Sequence, residues 1–290
     1  VAVAIAGVAS RMMELSLEQT RHAMGIAEYH GPRSQMMRCI DHPTMLKDGS
    51  GWGAMCGVSA ARMAKAGFTG APALILQTEH WYDLGENWLI TQQYFKPYPV
   101  CRWAQGPIAA VLDLKSRYDF KNKDVTSVHI TSFHEAVRLG QKDVTNTEEA
   151  QYSTSFPCAV ALVHGNILPE HIADDALKNP EVQRLSSVLT MSEDDHANLV
   201  FPESRLARAD ITLKNGQVLS STWFEPKWDA SAPPTKKELT KKFKNYATPV
   251  LGKTRTEAIY EAVFTLDTTE TEQLFGLISS SLQKPLTNVS

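Results

Sequence analysis

The sequence predicts a mainly α protein with an inserted α+β domain. Three observations carry this. Helical periodicity of apolar residues dominates residues 1–92 and returns after the Pro-rich stretch Pro226–Pro234. Between them, Asp124–Phe133 alternates in strand fashion. Arg208–Phe224 holds two short strand runs joined by Lys214-Asn215-Gly216, where Asn-Gly is a hairpin signal. The expected domains are therefore residues 1–92, helical; 93–228, α+β; and 229–290, helical again.

Within the first part, Val1–Leu15 is apolar nearly all round, the pattern of a buried helix. Ser16 reads as the N-cap of a helix running to Glu28. The polar stretch Tyr29–Ser50 reads as loop. Gly51–Ala66 is a helix ended by Gly67. Its Gly51, Ala54, Gly57, Ala60, Ala61 and Ala64 recur at three and four residues, so a second helix can approach closely. In the middle part, Ile108–Tyr118, Ser153–His164 and Asp175–Leu189 read as helices around the strands. After the linker, helices are expected over Thr235–Tyr246, Thr254–Thr265 and from Thr268 to Gly276. The basic run Lys236, Lys237, Lys241, Lys242 and Lys244 reads as the solvated face of the first of these.

A chain of 290 residues is long enough for one large or two modest cores. Hydrophobic residues make up 43% and charged residues 21%, an ordinary globular composition. Net charge is -3 and basic residues are dispersed, so no nucleic-acid footprint is expected. No apolar run is long enough to span a bilayer, and VAVAIAGVAS lacks the basic flank of a signal peptide. Cys39, Cys56, Cys101 and Cys158 are widely spaced, without a CxxC pair or a neighbouring ligand histidine. That predicts neither a metal site nor a disulfide framework, and a reducing, cytoplasmic setting. GxGxxG, Walker, HExxH and GxSxG patterns are missing, which removes the usual nucleotide, zinc and serine-hydrolase readings and leaves no cofactor implied.

Three local constellations remain. Lys47 lies in a Gly-rich loop feeding the small-residue helix, where backbone amides and an ammonium attract anions. A surface lysine in a turn is the blander alternative. Lys96, Tyr98, Cys101 and Arg102 share the segment FKPYPVCRW, whose prolines stiffen the backbone and fix where two cations and a phenol point. Such a set suits carboxylate recognition; a plain linker with scattered polar residues is the alternative. Ser153 either binds substrate or caps the following helix, and capping is the commoner role. Of nine histidines, His42 stands near Lys47 and is the candidate to join it, whereas His129, His164 and His196 read as structural or solvated.

At these residues the chain resembles the MmgE/PrpD family, which includes 2-methylcitrate dehydratases, cis-aconitate decarboxylases and iminodisuccinate epimerases. The resemblance runs through SLEQTRHAMGIAE, LKDGSGWGAMCGVSAARMAKAGFTGAP, FKPYPVCRWAQGPIAA, EEAQYSTSFPCAVALVHG, ADITLKNGQ and PPTKKELTKKF, nearly the whole chain. It implies a helical domain built from both chain ends, an α+β lid inserted in it, and an active site in the cleft between. Lys47 matches the family's lysine before the Gly-rich helix and Lys96 its lysine at the start of the lid. Cys101 falls where the family has Cys or His. These three are the expected catalytic residues; Tyr98, Arg102, Ser153 and His42 are the expected substrate-binding residues. Gln105 departs from a position that is often His.

The resemblance further implies a cofactor-independent lyase or isomerase acting on a small di- or tricarboxylate, with negative charge developing on the carbon α to a carboxyl group. Preorganised cations stabilise such charge, and a desolvated lysine ammonium loses its proton more readily. A 2-methylcitrate dehydratase-like activity leads; an iminodisuccinate epimerase-like isomerase or a cis-aconitate decarboxylase-like enzyme are the alternatives. A full-length member also carries further helices upstream with catalytic His and Asp residues. The sequence is thus expected to be truncated, processed or one subunit of a split enzyme. Expected partners are a carboxylate substrate, a second copy in a homodimer, and a separate chain supplying the N-terminal helical part; neither nucleic acid nor membrane is expected. A non-catalytic subunit that relies on such a partner is the reading of a different class.

Overall fold

The computed structural model of the chain describes residues 1–33, 35–78, 83–140, 143–268 and 270–280. His80 and residues 281–290 of the last expected helical part lie outside them. The chain divides into two compact units, Val1–Gln93 and Tyr94–Ser290, with residues 229–290 in the second. The protein is mainly helical with one small mixed sheet, and among the described residues no helix is long and apolar enough to cross a membrane.

The first unit contains α1 (Ala2–Met12), α2 (Leu17–His30), α3 (Met37–Asp41) and α4 (Ser50–Lys65). Ser16 starts α2 as expected: its Oγ accepts from the Gln19 amide at 3.2 Å while its own amide donates to Gln19 Oε1 at 3.0 Å. Short α3 interrupts the stretch read as loop, because Cys39 and Ile40 turn inward and are buried. The core here is a run of alanines: Ala2, Ala6, Ala9, Ala23, Ala27, Ala60, Ala61 and Ala64 with Ile26. Side chains this small let helix axes approach closely, as the stripe on α4 predicted. The buried helix expected over Val1–Leu15 is realised on one side only. Ala2, Ala6, Ala9 and Ser10 are buried, while Val1, Val8 and Met12 are 55–80% exposed.

Gly57 is the point of closest approach. A Cβ built there would lie 2.6 Å from the Ala2 carbonyl oxygen and 2.7 Å from Ile5 Cβ. Gly51, on the same helix, meets nothing within 4 Å. Gly57→Val is therefore expected to destabilise the protein by about 3 kcal/mol through overpacking. Gly51→Ala should stabilise it by up to about 1 kcal/mol through helix propensity. Urea midpoints of the two variants, moving in opposite directions, check this.

The second unit begins with α5 (Gln105–Arg117) and β1 (Val125–Ser132). Then come α6 (His134–Val137), α7 (Thr147–Tyr152), α8 (Ser155–His164), α9 (Pro180–Ser187), β2 (Leu189–Glu193) and α10 (Asp195–Val200). Strands β3 (Ala207–Leu213) and β4 (Val218–Ser220) form the expected hairpin, turned by Gly216 at φ +84°. Helices α11 (Lys236–Leu251), α12 (Lys253–Phe264) and α13 (Thr271–Ser279) follow. The sheet order is β2-β1-β3-β4, with β1 parallel to β2 and antiparallel to β3. Strand β2 was hidden in the helical reading of Asp175–Leu189; the helix stops at Ser187, and Leu189 pairs with Val128.

Val128 and Ile130 of β1 and Ala209 and Ile211 of β3 meet Ile108, Val111 and Leu114 of α5 and Phe156, Val160 and Leu162 of α8 in one core. The other face of β1 is polar: His129 bridges Thr190 and Ser192 at 2.9 Å each, the first of the two roles, structural or solvated, weighed for it. Helix α8 is buried from Ser155 to Leu162, so its continuous apolar run reflects burial all round.

Candidate functional site

Four of the seven expected site residues, Lys96, Tyr98, Cys101 and Arg102, sit on the segment that joins the start of the second unit to α5. Its two prolines, Pro97 and Pro99, remove two amide donors and any chance of helix. The segment's shape is instead imposed by side chains that capture its carbonyls. Lys242 Nζ of α11 donates to the Lys96 carbonyl oxygen. Tyr246 Oη, one turn further along α11, donates to the Pro97 carbonyl at 3.4 Å. Gln105, only 1% exposed, does the most. Its Nε2 reaches the carbonyls of Tyr98 (3.2 Å), Val100 (3.2 Å) and Cys101 (3.3 Å), and its Oε1 accepts from the Tyr98 amide (3.3 Å). One primary amide thus organises a whole turn, satisfying backbone groups that have no strand or helix to bond to.

Arg102 anchors the other flank. It is buried, with NH1 donating to the Phe95 and Lys227 carbonyls (3.2 and 2.8 Å) and NH2 to Asp229 Oδ2 (2.8 Å). Its guanidinium also lies over the Tyr94 ring, 4.1 Å from the centroid. Burial pulls its pKa down and the Asp229 carboxylate opposes that. The guanidinium, expected to bind substrate, is here engaged by the protein itself. It ties the Lys96 segment to residues 226–229, which are a packed strap rather than the loose linker expected, with the Phe95 amide also bonded to the Trp228 carbonyl at 2.9 Å. Arg102→Lys should cost about 2 kcal/mol, since an ammonium cannot make the forked contacts. Urea unfolding of this variant against the parent chain measures it.

The resulting presentation separates the side chains. Lys96 is exposed, Tyr98 and Cys101 are half-buried, and burial raises the Tyr98 pKa so that its phenol stays a donor. The Cys101 amide donates to the Gln151 carbonyl at 2.8 Å, which joins the segment to the turn before α8. Ser153 is in that turn and buried; its Oγ accepts from the Phe156 amide at 3.1 Å, the capping role weighed for it. Beside it, Thr154 Oγ1 is buried and has no hydrogen-bond partner among the described residues.

Lys47 and His42 belong to the first unit. His42 is exposed at the end of α3. The Lys47 ammonium nitrogen is shielded from solvent, and Asp48 takes a left-handed conformation (φ +45°) before Gly49 caps α4, whose first turn holds no acid. Among the described residues no three His, Cys, Asp or Glu side chains gather as a metal cage would require.

Lys242 and Tyr246 were missed as functional candidates. The basic run of α11 is only partly the solvated face expected: Lys242 is half-buried, Lys244 pairs with Glu257 at 2.7 Å, and Lys236 lies over the Phe264 ring. The i, i+4 spacing of Lys242 and Tyr246, which places both on one face, was the available signal.

Residues 1–88 match the MmgE/PrpD N-terminal domain and residues 98–268 the MmgE/PrpD C-terminal domain. The chain is 26% identical over 222 residues to a probable 2-methylcitrate dehydratase of Saccharomyces cerevisiae, covering 68% of this chain and 42% of that protein. It is 25% identical over 246 residues to the mitochondrial 2-methylcitrate dehydratase of Yarrowia lipolytica (76% and 47%). It is 23% identical over 215 residues to the cis-aconitate decarboxylase of Aspergillus terreus (70% and 44%). The chain spans about half the length of the curated relatives it matches.

Proposed function

The chain belongs to the MmgE/PrpD family, and from that premise we propose that it is the larger part of a lyase acting on a small di- or tricarboxylate, with 2-methylcitrate dehydration as the leading activity. The observation that carries this reading is the side-chain capture of six of the seven carbonyls from Phe95 to Cys101. It presents Lys96 and Cys101 on a backbone that does not have to reorganise when charge develops, and preorganisation is what electrostatic catalysis needs. Dehydration removes a proton from the carbon α to a carboxylate and expels hydroxide, which leaves as water once protonated. The Lys96 ammonium stabilises the charge on the enolised carboxylate, and Tyr98 donates to the substrate. Cys101 and Lys47 are the proposed proton carriers. Arg102 and Gln105 hold the segment, and Ser153 bonds the Phe156 amide of α8, instead of touching substrate.

On the same reading residues 93–228 are the family's α+β part and residues 1–92 and 229–290 its helical parts. The enzyme works as a cytoplasmic homodimer without metal or organic cofactor, with the upstream helical part supplied by further chain or a separate subunit. The relatives named as dehydratases and as a decarboxylase support a lyase ahead of an epimerase-like isomerase. The test is a panel of 2-methylcitrate, citrate, cis-aconitate and iminodisuccinate offered to the complete protein. Preferred loss of water from 2-methylcitrate is expected. Preferred decarboxylation of cis-aconitate or epimerisation of iminodisuccinate moves the assignment to the corresponding alternative. No conversion of any of them favours a non-catalytic subunit.

A further inference from the structure

Beside the Lys96 segment, and apart from the Lys96 ammonium itself, the second unit holds a cavity of about 390 Å³. One wall is a polar stripe of α11, Glu238, Lys241, Lys242 and Asn245, at i, i+3, i+4 and i+7 and so on one helix face. The facing walls are Pro97–Tyr98, the loop Gly165–Leu168 and Trp228. We propose that this cavity is a binding subsite for an organic polycarboxylate, held by Lys241, Lys242, Asn166 and Asn245 and distinct from the reacting centre.

Unpaired donors dominate the cavity lining. Lys241, Asn166 and Asn245 all line the cavity. The Lys241 ammonium and the Asn166 and Asn245 side-chain amides have no hydrogen-bond partner among the described residues. Lys242 spends one of its three protons on the Lys96 carbonyl and keeps two. The one carboxylate of the lining, Glu238, is already occupied, accepting from the Thr235 amide (2.8 Å) and hydroxyl (2.7 Å). Glu238 stands alone against Lys241 and Lys242, so the lining is cationic; Glu170, within electrostatic reach of Tyr246, and Lys96, within reach of Lys242, lie outside it.

Two further points agree. Burial and then the neighbouring Lys96 charge lower the Lys242 pKa, so a bound anion would relieve an ammonium that lacks solvation. Burial, then Tyr98 and Glu170, push the Tyr246 phenol up to about 12, so it holds the Pro97 carbonyl as a neutral donor. The volume lies within the usual range for small-molecule sites and exceeds what a single inorganic anion fills. The apolar walls of Trp228, Ile167 and Leu168 suit a carbon skeleton between carboxylates. Because Lys242 also holds the Lys96 carbonyl, occupancy would bear directly on how Lys96 is presented. The choice of carboxylate over other organic anions rests on the proposed function; the cationic, donor-rich character does not.

Isothermal titration of citrate into the full 290-residue chain at low ionic strength tests this without requiring turnover. Saturable binding with a Kd below about 1 mM is expected. Lys241→Glu and Asn166→Asp should each weaken it at least about tenfold. Lys237→Glu, the same charge change on the same helix outside the cavity lining, should alter it by less than about twofold. Lys47→Met should leave this heat in place. Absence of saturable heat, or equal weakening by Lys237→Glu and Lys241→Glu, overturns the proposal. So does inorganic phosphate binding as tightly as citrate, which would mark an unselective anion site. Loss of binding in Lys47→Met but not in Lys241→Glu would place the citrate at the reacting centre, overturning the subsite while leaving the proposed function intact.

Discussion

Replacing Lys96 by Met in the complete protein is expected to lower kcat/KM about hundredfold, a loss of about 3 kcal/mol of transition-state stabilisation. Methionine keeps much of the side chain's length and removes the charge. The loss should fall mainly on kcat, because charge α to a carboxylate is present only during reaction. Stability should hardly move, since Lys96 is exposed and it is the carbonyl, not the ammonium, that is bonded to Lys242. Lys47→Met is expected to cost a similar factor. Steady-state kinetics on the preferred substrate, together with a thermal melt of each variant, read both quantities. If both variants keep near-normal kcat/KM, the two lysines do not carry the reaction.

The second large effect is expected at Gln105 and is structural first. Gln105→Leu keeps the bulk but strips the donors from the carbonyls of Tyr98, Val100 and Cys101 and the acceptor from the Tyr98 amide. Buried groups left unsatisfied cost about 1–3 kcal/mol each. With partial repair by water, a total near 3 kcal/mol is expected. Activity should fall further than stability alone explains, because Tyr98 and Cys101 lose their fixed positions. Gln105→Glu should be worse at neutral pH, since it sets a carboxylate oxygen against three carbonyl oxygens. That environment raises the carboxyl pKa in the folded state above its unfolded value. The deficit should therefore shrink as pH falls, when the protonated acid can donate, and grow as pH rises. Urea unfolding of the Glu variant at about pH 5 and about pH 8, each against the parent chain, reads this sign. A deficit independent of pH would contradict the clamp geometry.

Much of the fold was legible because it rests on local chemistry. Ser16 announces α2 through a capping box that needs only Gln19 three residues on. The glycines and alanines of α4 announce close helix contact, and Gly57 delivers it. Asn215-Gly216 turns the β3–β4 hairpin. What was not legible depends on partners distant in sequence. Strand β2 becomes a strand by pairing with β1 some sixty positions earlier, as in Leu189 with Val128. Residues 226–229 look like a linker until buried Arg102 draws on their carbonyls and on Asp229.

The candidate site shows the same division. The residue types that could handle a carboxylate stand together in FKPYPVCRW and could be read directly. Which of them face outward could not. Arg102 turns into the protein because four acceptors and an aromatic ring await it there. Gln105 looked like a departure from a family pattern, and it is the amide that holds the segment together. Lys242 looked like one of several solvated lysines, and only the approach of α11 to the Lys96 carbonyl separates it from them.

The proposed function requires the protein to build negative charge on a carbon next to a carboxylate. Proton NMR of 2-methylcitrate incubated with the complete protein in deuterated water tests it most directly. The expected result is accumulation of the unsaturated tricarboxylate, with deuterium entering the recovered substrate at the carbon α to a carboxylate through the reverse reaction. Unchanged spectra for 2-methylcitrate and for the other three carboxylates of the panel, with neither conversion nor exchange, would contradict it.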